Sequence, residues 1–184
     1  MSVVKQFKEA LEMTIAPGGL LELTTIERDG VPVKAFAQAP GSMRDLWALA
    51  TAHGDSEYLV YQDERWTYAQ AAKIVAEFAA WLTAQGIEPG DHVAIAMRNY
   101  PEWVMSFAAI ISIGAVSVSM NSWWTADEME FALEDSGSKV LICDDQRLAL
   151  AYSYCQKQNI AMLVVRAENN VPAGVGQWEK DLPL

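Results

Sequence analysis

From Trp66 to Asp144, segments with the period of a helix alternate with segments that read as strands, and no linker separates them. Thr67 opens a helix, His92 to Met97 reads as a strand, and Asn99-Tyr100-Pro101 opens a second helix. Ala115 to Met120 is the next strand, Thr125 opens a third helix, and Lys139 to Cys143 is a further strand. Strands separated by helices pair in parallel through right-handed crossovers, because a tight hairpin is no longer available to them. The chain is therefore expected to be α/β, with a largely parallel sheet flanked by helices.

Local chemistry marks the ends of these elements. Thr67 and Gln70 have the spacing of a capping box, in which each side chain satisfies the other residue's free backbone N–H, and Thr125 with Glu128 repeats it. Behind Thr67, the residues Ala71, Val75, Phe78 and Leu82 form one apolar stripe that should face the sheet. Pro101 sits near the first position of its helix, where its missing N–H costs nothing. The uncharged run from Trp103 to Ala126 is long enough to suggest a membrane span. Its serines and asparagine, the break at Gly114, and the switch to period two at Val116-Ser117-Val118 predict a buried helix followed by a buried strand instead.

Upstream, Val4 to Met13 has the pattern of a short amphipathic helix, and Asp29-Gly30 between alternating runs signals a two-residue hairpin turn. A second hairpin is expected around Gln62-Asp63-Glu64, and the residues after Arg166, rich in Asn, Pro and Gly, read as loop. These boundaries divide the chain into an N-terminal helix and hairpin (1–40), an α/β subdomain (41–166) and a loop-like tail (167–184).

The net charge of −11 and the scatter of the 13 basic residues exclude a nucleic-acid surface, which needs clustered Lys and Arg. The two cysteines, Cys143 and Cys155, lack a Cys-x-x-Cys spacing, and the two lysines of Met1 to Lys8 have no apolar run behind them. Free thiols and a cytoplasmic location are the expectation. No phosphate loop of the Gly-Lys-Ser/Thr type, no Gly-x-Ser-x-Gly elbow and no metal-binding His pair occurs, so neither a catalytic group nor a metal site is assigned.

What remains are loops at the carboxyl ends of strands, where open α/β sheets bind ligands. Asn99 and Tyr100 line one such loop; Asn121, Trp123 and Trp124 line the next, and adjacent tryptophans in a loop must cover something, either a ligand or protein. Asp144-Asp145 could hold a ribose or Mg²⁺, or merely cap a helix.

The run from Trp66 to Asp144 resembles the N-terminal part of adenylate-forming enzymes, particularly acyl-CoA synthetases. The features that carry it are Thr67-Tyr68, Gly86-Ile87-Glu88-Pro89-Gly90-Asp91-His92-Val93-Ala94, Asn99 to Glu102, Gly114-Ala115-Val116 and Leu133-Glu134-Asp135-Ser136-Gly137. The resemblance implies a partial N-terminal domain of a two-step ligase that joins a carboxylic acid to ATP and passes the acyl group to coenzyme A. ATP, Mg²⁺ and coenzyme A belong to the full-length enzyme, whose phosphate loop, ribose-binding acid, hinge and C-terminal lysine lie downstream in the family. It further implies an apolar acid as substrate, the missing remainder of the polypeptide as partner, and a fragment that is inactive and binds no nucleotide tightly alone. Relatives often place Pro after the residue matching Asn121 and some a basic residue in that turn; Ser122 and Trp123 depart from this. The alternative is a free-standing interaction module using the Trp123-Trp124 surface, and a third reading is a small nucleotide-binding domain using Asp144-Asp145. An uncovered sheet edge would also favour homo-oligomers.

Overall fold

A computed structural model describes residues 2–19 and 21–182. The chain divides into two compact units, Met1–Ser42 and Met43–Leu184.

In the first unit, helix α1 (Val3–Ile15) begins at Ser2, whose hydroxyl accepts from the Lys5 N–H at 3.3 Å. Strands β1 (Leu23–Arg28) and β2 (Val31–Phe36) pair antiparallel across Asp29-Gly30. Both turn residues have positive φ (51° and 77°), the backbone of the two-residue turn that follows the strand twist. No residue of α1 is buried.

The second unit opens with helix α2 (Met43–Thr51) and a hairpin of β3 (Glu57–Tyr61) and β4 (Glu64–Thr67). Its turn is Gln62-Asp63 alone, because Glu64 already pairs with Tyr61. Then α3 (Tyr68–Ala84), β5 (His92–Ala96), α4 (Pro101–Ser112), β6 (Val116–Ser119), α5 (Ala126–Ser136), β7 (Val140–Asp144), α6 (Asp145–Gln158) and β8 (Ala161–Val165) alternate as the sequence predicts. Both capping boxes form: Thr67 Oγ1 accepts from the Gln70 N–H at 3.2 Å while Gln70 Oε1 accepts from the Thr67 N–H at 2.9 Å, and Thr125 with Glu128 does the same. The stripe Ala71, Val75, Phe78 and Leu82 is fully withdrawn from water.

The sheet is five-stranded, ordered β6-β5-β7-β8-β9, and every pairing is parallel. Two cores flank it. Phe78, Leu82, Ile95, Ile110 and Ile142 anchor one under α3 and α4, and Met129, Leu133, Leu141 and Cys155 anchor the other under α5 and α6.

Two expectations are corrected. The strand after Gly114 is not buried: β6 is the outer strand, with Val116 and Ser119 exposed and Ser117 and Val118 half-buried, because only one of its edges is paired. Nor is the tail wholly loop. Residues Gly176–Gln177 form β9, parallel to β8, and Trp178–Asp181 form the short helix α7. Trp178 and Leu182 draw this segment down, each 3% exposed, and the Trp178 ring lies 4.9 Å from that of Phe78. Composition rich in Asn, Pro and Gly concealed these two apolar anchors. Among the described residues no helix is long and apolar enough to cross a membrane.

Cys143 on β7 and Cys155 on α6 are free and buried. Burial raises both thiols, and that of Cys155 is pushed up to about 12. Since the thiolate is the reactive form, an aromatic disulfide reagent should modify both cysteines in denaturant and neither in the native protein at pH 8. Rapid labelling of the folded chain would contradict the burial.

Candidate functional site

The chain runs from β5 outward to β6 on one side and returns to β7 on the other. Loops leaving neighbouring strands β5 and β7 therefore diverge and open a crevice beyond their carboxyl ends, the place where open α/β sheets bind ligands. Arg98, Asn99 and Tyr100 follow β5, Asn121 to Trp124 follow β6, Asp144 and Asp145 follow β7, and Arg166 follows β8.

Asp144 is fixed by the structure around it. Only 4% exposed, it caps α6 by accepting from the Arg147 N–H at 3.1 Å, and its other oxygen accepts from the Arg98 N–H at 3.0 Å. The Arg147 guanidinium, equally buried, pairs with the same carboxylate at 3.1 Å, and its Nε and Nη2 donate to the Ser122 carbonyl, Nε at 2.9 Å. One ion pair thus joins the loops after β5, β6 and β7. Asp145 accepts from Asn169 Nδ2. Of the two readings of the acidic pair, the structure supports the cap.

Arg166 forms a second node. Its φ of +51° turns the chain sharply as it leaves β8. Its guanidinium forks onto both Glu64 oxygens at 2.8 Å, pairs with Glu102 at 2.9 Å, and lies over the rings of Tyr61 (4.9 Å) and Tyr100 (5.1 Å). Glu179 accepts from its backbone N–H at 2.8 Å. The hydrogen bond from Arg166 holds the Glu64 carboxyl below the usual carboxylate range, and the two glutamates raise Arg166 further. A depressed carboxyl contributes stability that is complete above its unfolded pKa of about 4.3 and is lost as pH falls through the lower folded value. Acid titration should therefore destabilise the wild-type chain more steeply below pH ~4 than a Glu64→Gln variant, and parallel curves would contradict the pairing.

Burial raises the Tyr100 hydroxyl first, and the Asp144 charge adds to it. Tyr100 also caps α4 with no side-chain hydrogen bond.

Of the sequence-predicted residues, Asn99, Tyr100 and Trp123 meet in one cleft of about 370 Å³, with Tyr61, Arg98 and Ser122. Asn121 Oδ1 accepts from the Trp123 N–H at 2.9 Å and so holds the turn. Trp123 is 75% exposed, with the Arg98 guanidinium 4.2 Å from its ring centre. Trp124 separates from it: half-buried, it packs on the core under α5 and lines a different hollow with Val118 and Phe131. The adjoining cleft of about 170 Å³ is lined by Arg98, Tyr100, Asp144, Asp145, Arg166 and Glu168. Sequence reasoning assigned no role of their own to Arg98, Arg147 or Arg166, although Arg98 and Arg166 each stand directly at the end of an apolar strand, which is a readable signal. Among the described residues no group of three or more His, Cys, Asp or Glu could hold a metal ion.

Known proteins resemble this chain in sequence and in fold. The chain is 36% identical over 110 residues to a probable CoA ligase, CCL9, of Humulus lupulus, and 37% identical over 111 residues to a putative acyl-CoA synthetase, YngI, of Bacillus subtilis (strain 168). Those matches cover 60% and 59% of this chain and 20% of each relative, so the chain spans about a fifth of their length. The fold matches the coronafacic acid ligase of Pectobacterium brasiliense with a TM-score of 0.70 at 18% identity, over 78% of this chain and 29% of that one. A fatty acyl CoA synthetase of Mycobacterium tuberculosis matches with a TM-score of 0.57 at 31% identity, over 74% of this chain and 26% of that one. Residues 46–181, from α2 through α7, match the family of AMP-binding enzymes. On that match, with the parallel sheet and its carboxyl-edge crevice, the chain belongs to the AMP-binding enzyme family.

Proposed function

We propose that the protein is the N-terminal portion of an acid–coenzyme A ligase that activates a fatty or other apolar carboxylic acid. The observation that carries this reading is the family match over residues 46–181 together with CoA ligases among the relatives. In the full-length enzyme the carboxylate attacks the α-phosphate of ATP, pyrophosphate leaves, and the thiol of coenzyme A then displaces AMP from the acyl carbon. A carboxylate has a poor leaving group, and adenylation replaces it with AMP. In this reading residues 1–40 and 41–166 form the start of the enzyme and 167–184 lead toward its remainder, in a cytoplasmic protein.

The part played by this chain is to bind and position. Asn99 and Tyr100 wall the crevice, Asn121 holds the turn that presents Trp123 at the thiol-side opening, and Trp124 forms the far side of that turn. No group of this chain is assigned a proton-transfer role. Mg²⁺ would accompany ATP, but the described residues do not fit a metal site, and no step is routed through it.

Substrate-dependent ATP–pyrophosphate exchange is the test. Exchange and thioester formation are expected with the full polypeptide and a panel of apolar acids, and no exchange with residues 1–184 alone. Exchange by the short chain would refute its dependence on the remainder; a full polypeptide inert toward every acid would refute the ligase reading. In the full enzyme, Trp123→Ala should alter the coenzyme A dependence more than that for ATP. The exposure of Trp123 favours one second reading, an interaction module. Concentration-dependent association lost in Trp123→Ala would support it.

A further inference from the structure

The two edges of the five-stranded sheet differ. β9 forms one of them with only two residues before α7 begins, and so short an edge strand resists pairing with another chain. β6 forms the other with Val116, Ser117, Val118 and Ser119, in unbroken register with β5 and with no proline, charge or bulge to blunt it. Val116 and Met120 donate their N–H groups inward, to the carbonyls of Asp91 and Ile95 at 2.8 and 2.9 Å. Backbone groups alternate in direction along a strand. Those of Ser117 and Ser119 therefore face outward, where no further strand of the sheet meets them among the described residues.

Beside this edge lies an apolar hollow of about 500 Å³, lined by Val118, Trp124, Phe131 and Ala132 and bordered by Asp127 and Asp135. It shares no residue with either cleft of the carboxyl edge. Phe131 is 68% exposed, an unfavourable setting for a ring that nothing covers. Asp127, Phe131 and Asp135 stand four residues apart on α5 and so share one face, giving acid, ring and acid over ~12 Å of helix. In an extended strand, the side chains of residues i, i+2 and i+4 point to one face and span ~13 Å. A strand laid beside β6 thus matches α5 when those three residues are basic, apolar and basic. A second copy of the chain does not match. Asp127, Glu128, Glu130, Glu134 and Asp135 make α5 wholly acidic, and pairing β6 with β6 would bring two such helices together.

We propose that β6 and α5 form a docking site for an extended basic segment of a partner protein. The segment adds a sixth strand outside β6, sets Lys or Arg on Asp127 and Asp135, and lays an apolar side chain against Phe131. Main-chain hydrogen bonds to Ser117 and Ser119 hold it, and the acid–ring–acid column selects its sequence. The site needs none of the ligase chemistry and stands or falls apart from it.

The test follows the fluorescence anisotropy of a dye-labelled peptide, Thr-Arg-Thr-Leu-Thr-Lys-Thr, titrated with the 184-residue chain and with the full polypeptide. A dissociation constant of roughly 100 μM is expected with both, weakening as salt is added. The peptide with Glu in place of Arg and Lys should bind at least ~10-fold more weakly. Phe131→Ala should weaken binding about tenfold, and Asp127→Asn combined with Asp135→Asn about fivefold, with most of the salt dependence lost. All three side chains are exposed, so these variants should melt close to wild type. Strand pairing has its own probe. N-methylation of Arg, Leu and Lys, or of the two inner threonines, removes donors from opposite edges of the peptide, and one form should lose binding while the other keeps it. Absence of binding, equal binding of the acidic peptide, undiminished binding by Phe131→Ala, or indifference to both N-methylation patterns overturns the proposal. Binding by the 184-residue chain that the full polypeptide lacks would make the remainder of the chain the occupant. Self-association lost in Phe131→Ala would make it a second copy, and either result overturns a separate partner.

Discussion

Asp144→Ala is expected to cost about 3–5 kcal/mol, the range for removing one partner of a buried ion pair. Asp144 and Arg147 are 4% and 5% exposed, so the guanidinium left behind has little water to turn to. The same change removes the N-terminal cap of α6, about 1 kcal/mol in its own right, and strands the Arg98 N–H that Asp144 accepts. These losses share one side chain and do not simply add. Asp144→Asn keeps a cap and an acceptor for Arg98 but not the charge, and should retain roughly half of the lost stability. Urea denaturation with an unchanged slope measures both. An alanine variant within ~1 kcal/mol of wild type would mean that water reaches Arg147 in the native protein.

Arg166→Ala should cost about 2–4 kcal/mol, less than the Asp144 change because Glu64 is 40% exposed and can be resolvated. Glu102 cannot, since its side chain is 10% exposed and it faces no other cation among the described ion pairs. Glu102→Gln made in the Arg166→Ala background should therefore return stability, roughly 1–2 kcal/mol, although the same change in wild type costs it. The backbone gives an independent handle. With φ at +51°, glycine at this position relieves about 1 kcal/mol of strain, so Arg166→Gly should fall less far than Arg166→Ala. Equal losses would place the whole effect in the side chain.

These two nodes mark where sequence reasoning stopped. From α2 to β8 the helices and strands were legible because each is written in local terms: the stripe from Ala71 to Leu82, the boxes at Thr67 and Thr125, the proline of α4. Strand neighbours are not written that way. That Val116 to Ser119 lies outermost follows from β7 docking on the other side of β5, a choice made between residues far apart in the chain. The site divides along the same line. Asn99, Tyr100, Asn121 and Trp123 can be placed at strand ends from the sequence, whereas Arg147 reaching Ser122 across 25 positions, or Arg166 reaching Glu64 across 102, needed the fold itself. The separation of Trp123 from Trp124 is of this kind too: a pair adjacent in sequence became one ring at the cleft and one packed against the core under α5.

The strand order also bears on how the chain is made. β5 pairs on both sides with strands synthesised after it, and its second partner ends 48 residues later, from Ala96 to Asp144. At ~5–20 residues per second, a ribosome takes roughly 2–10 s to cover that distance. During this interval His92–Ala96, almost wholly apolar, waits with at least one open edge. The helices α3 and α4, which share a core with it, are complete sooner and can shield one face of it. Slower decoding between α4 and β7 would lengthen that exposure, so the nascent chain is most vulnerable to misassociation before β7 emerges.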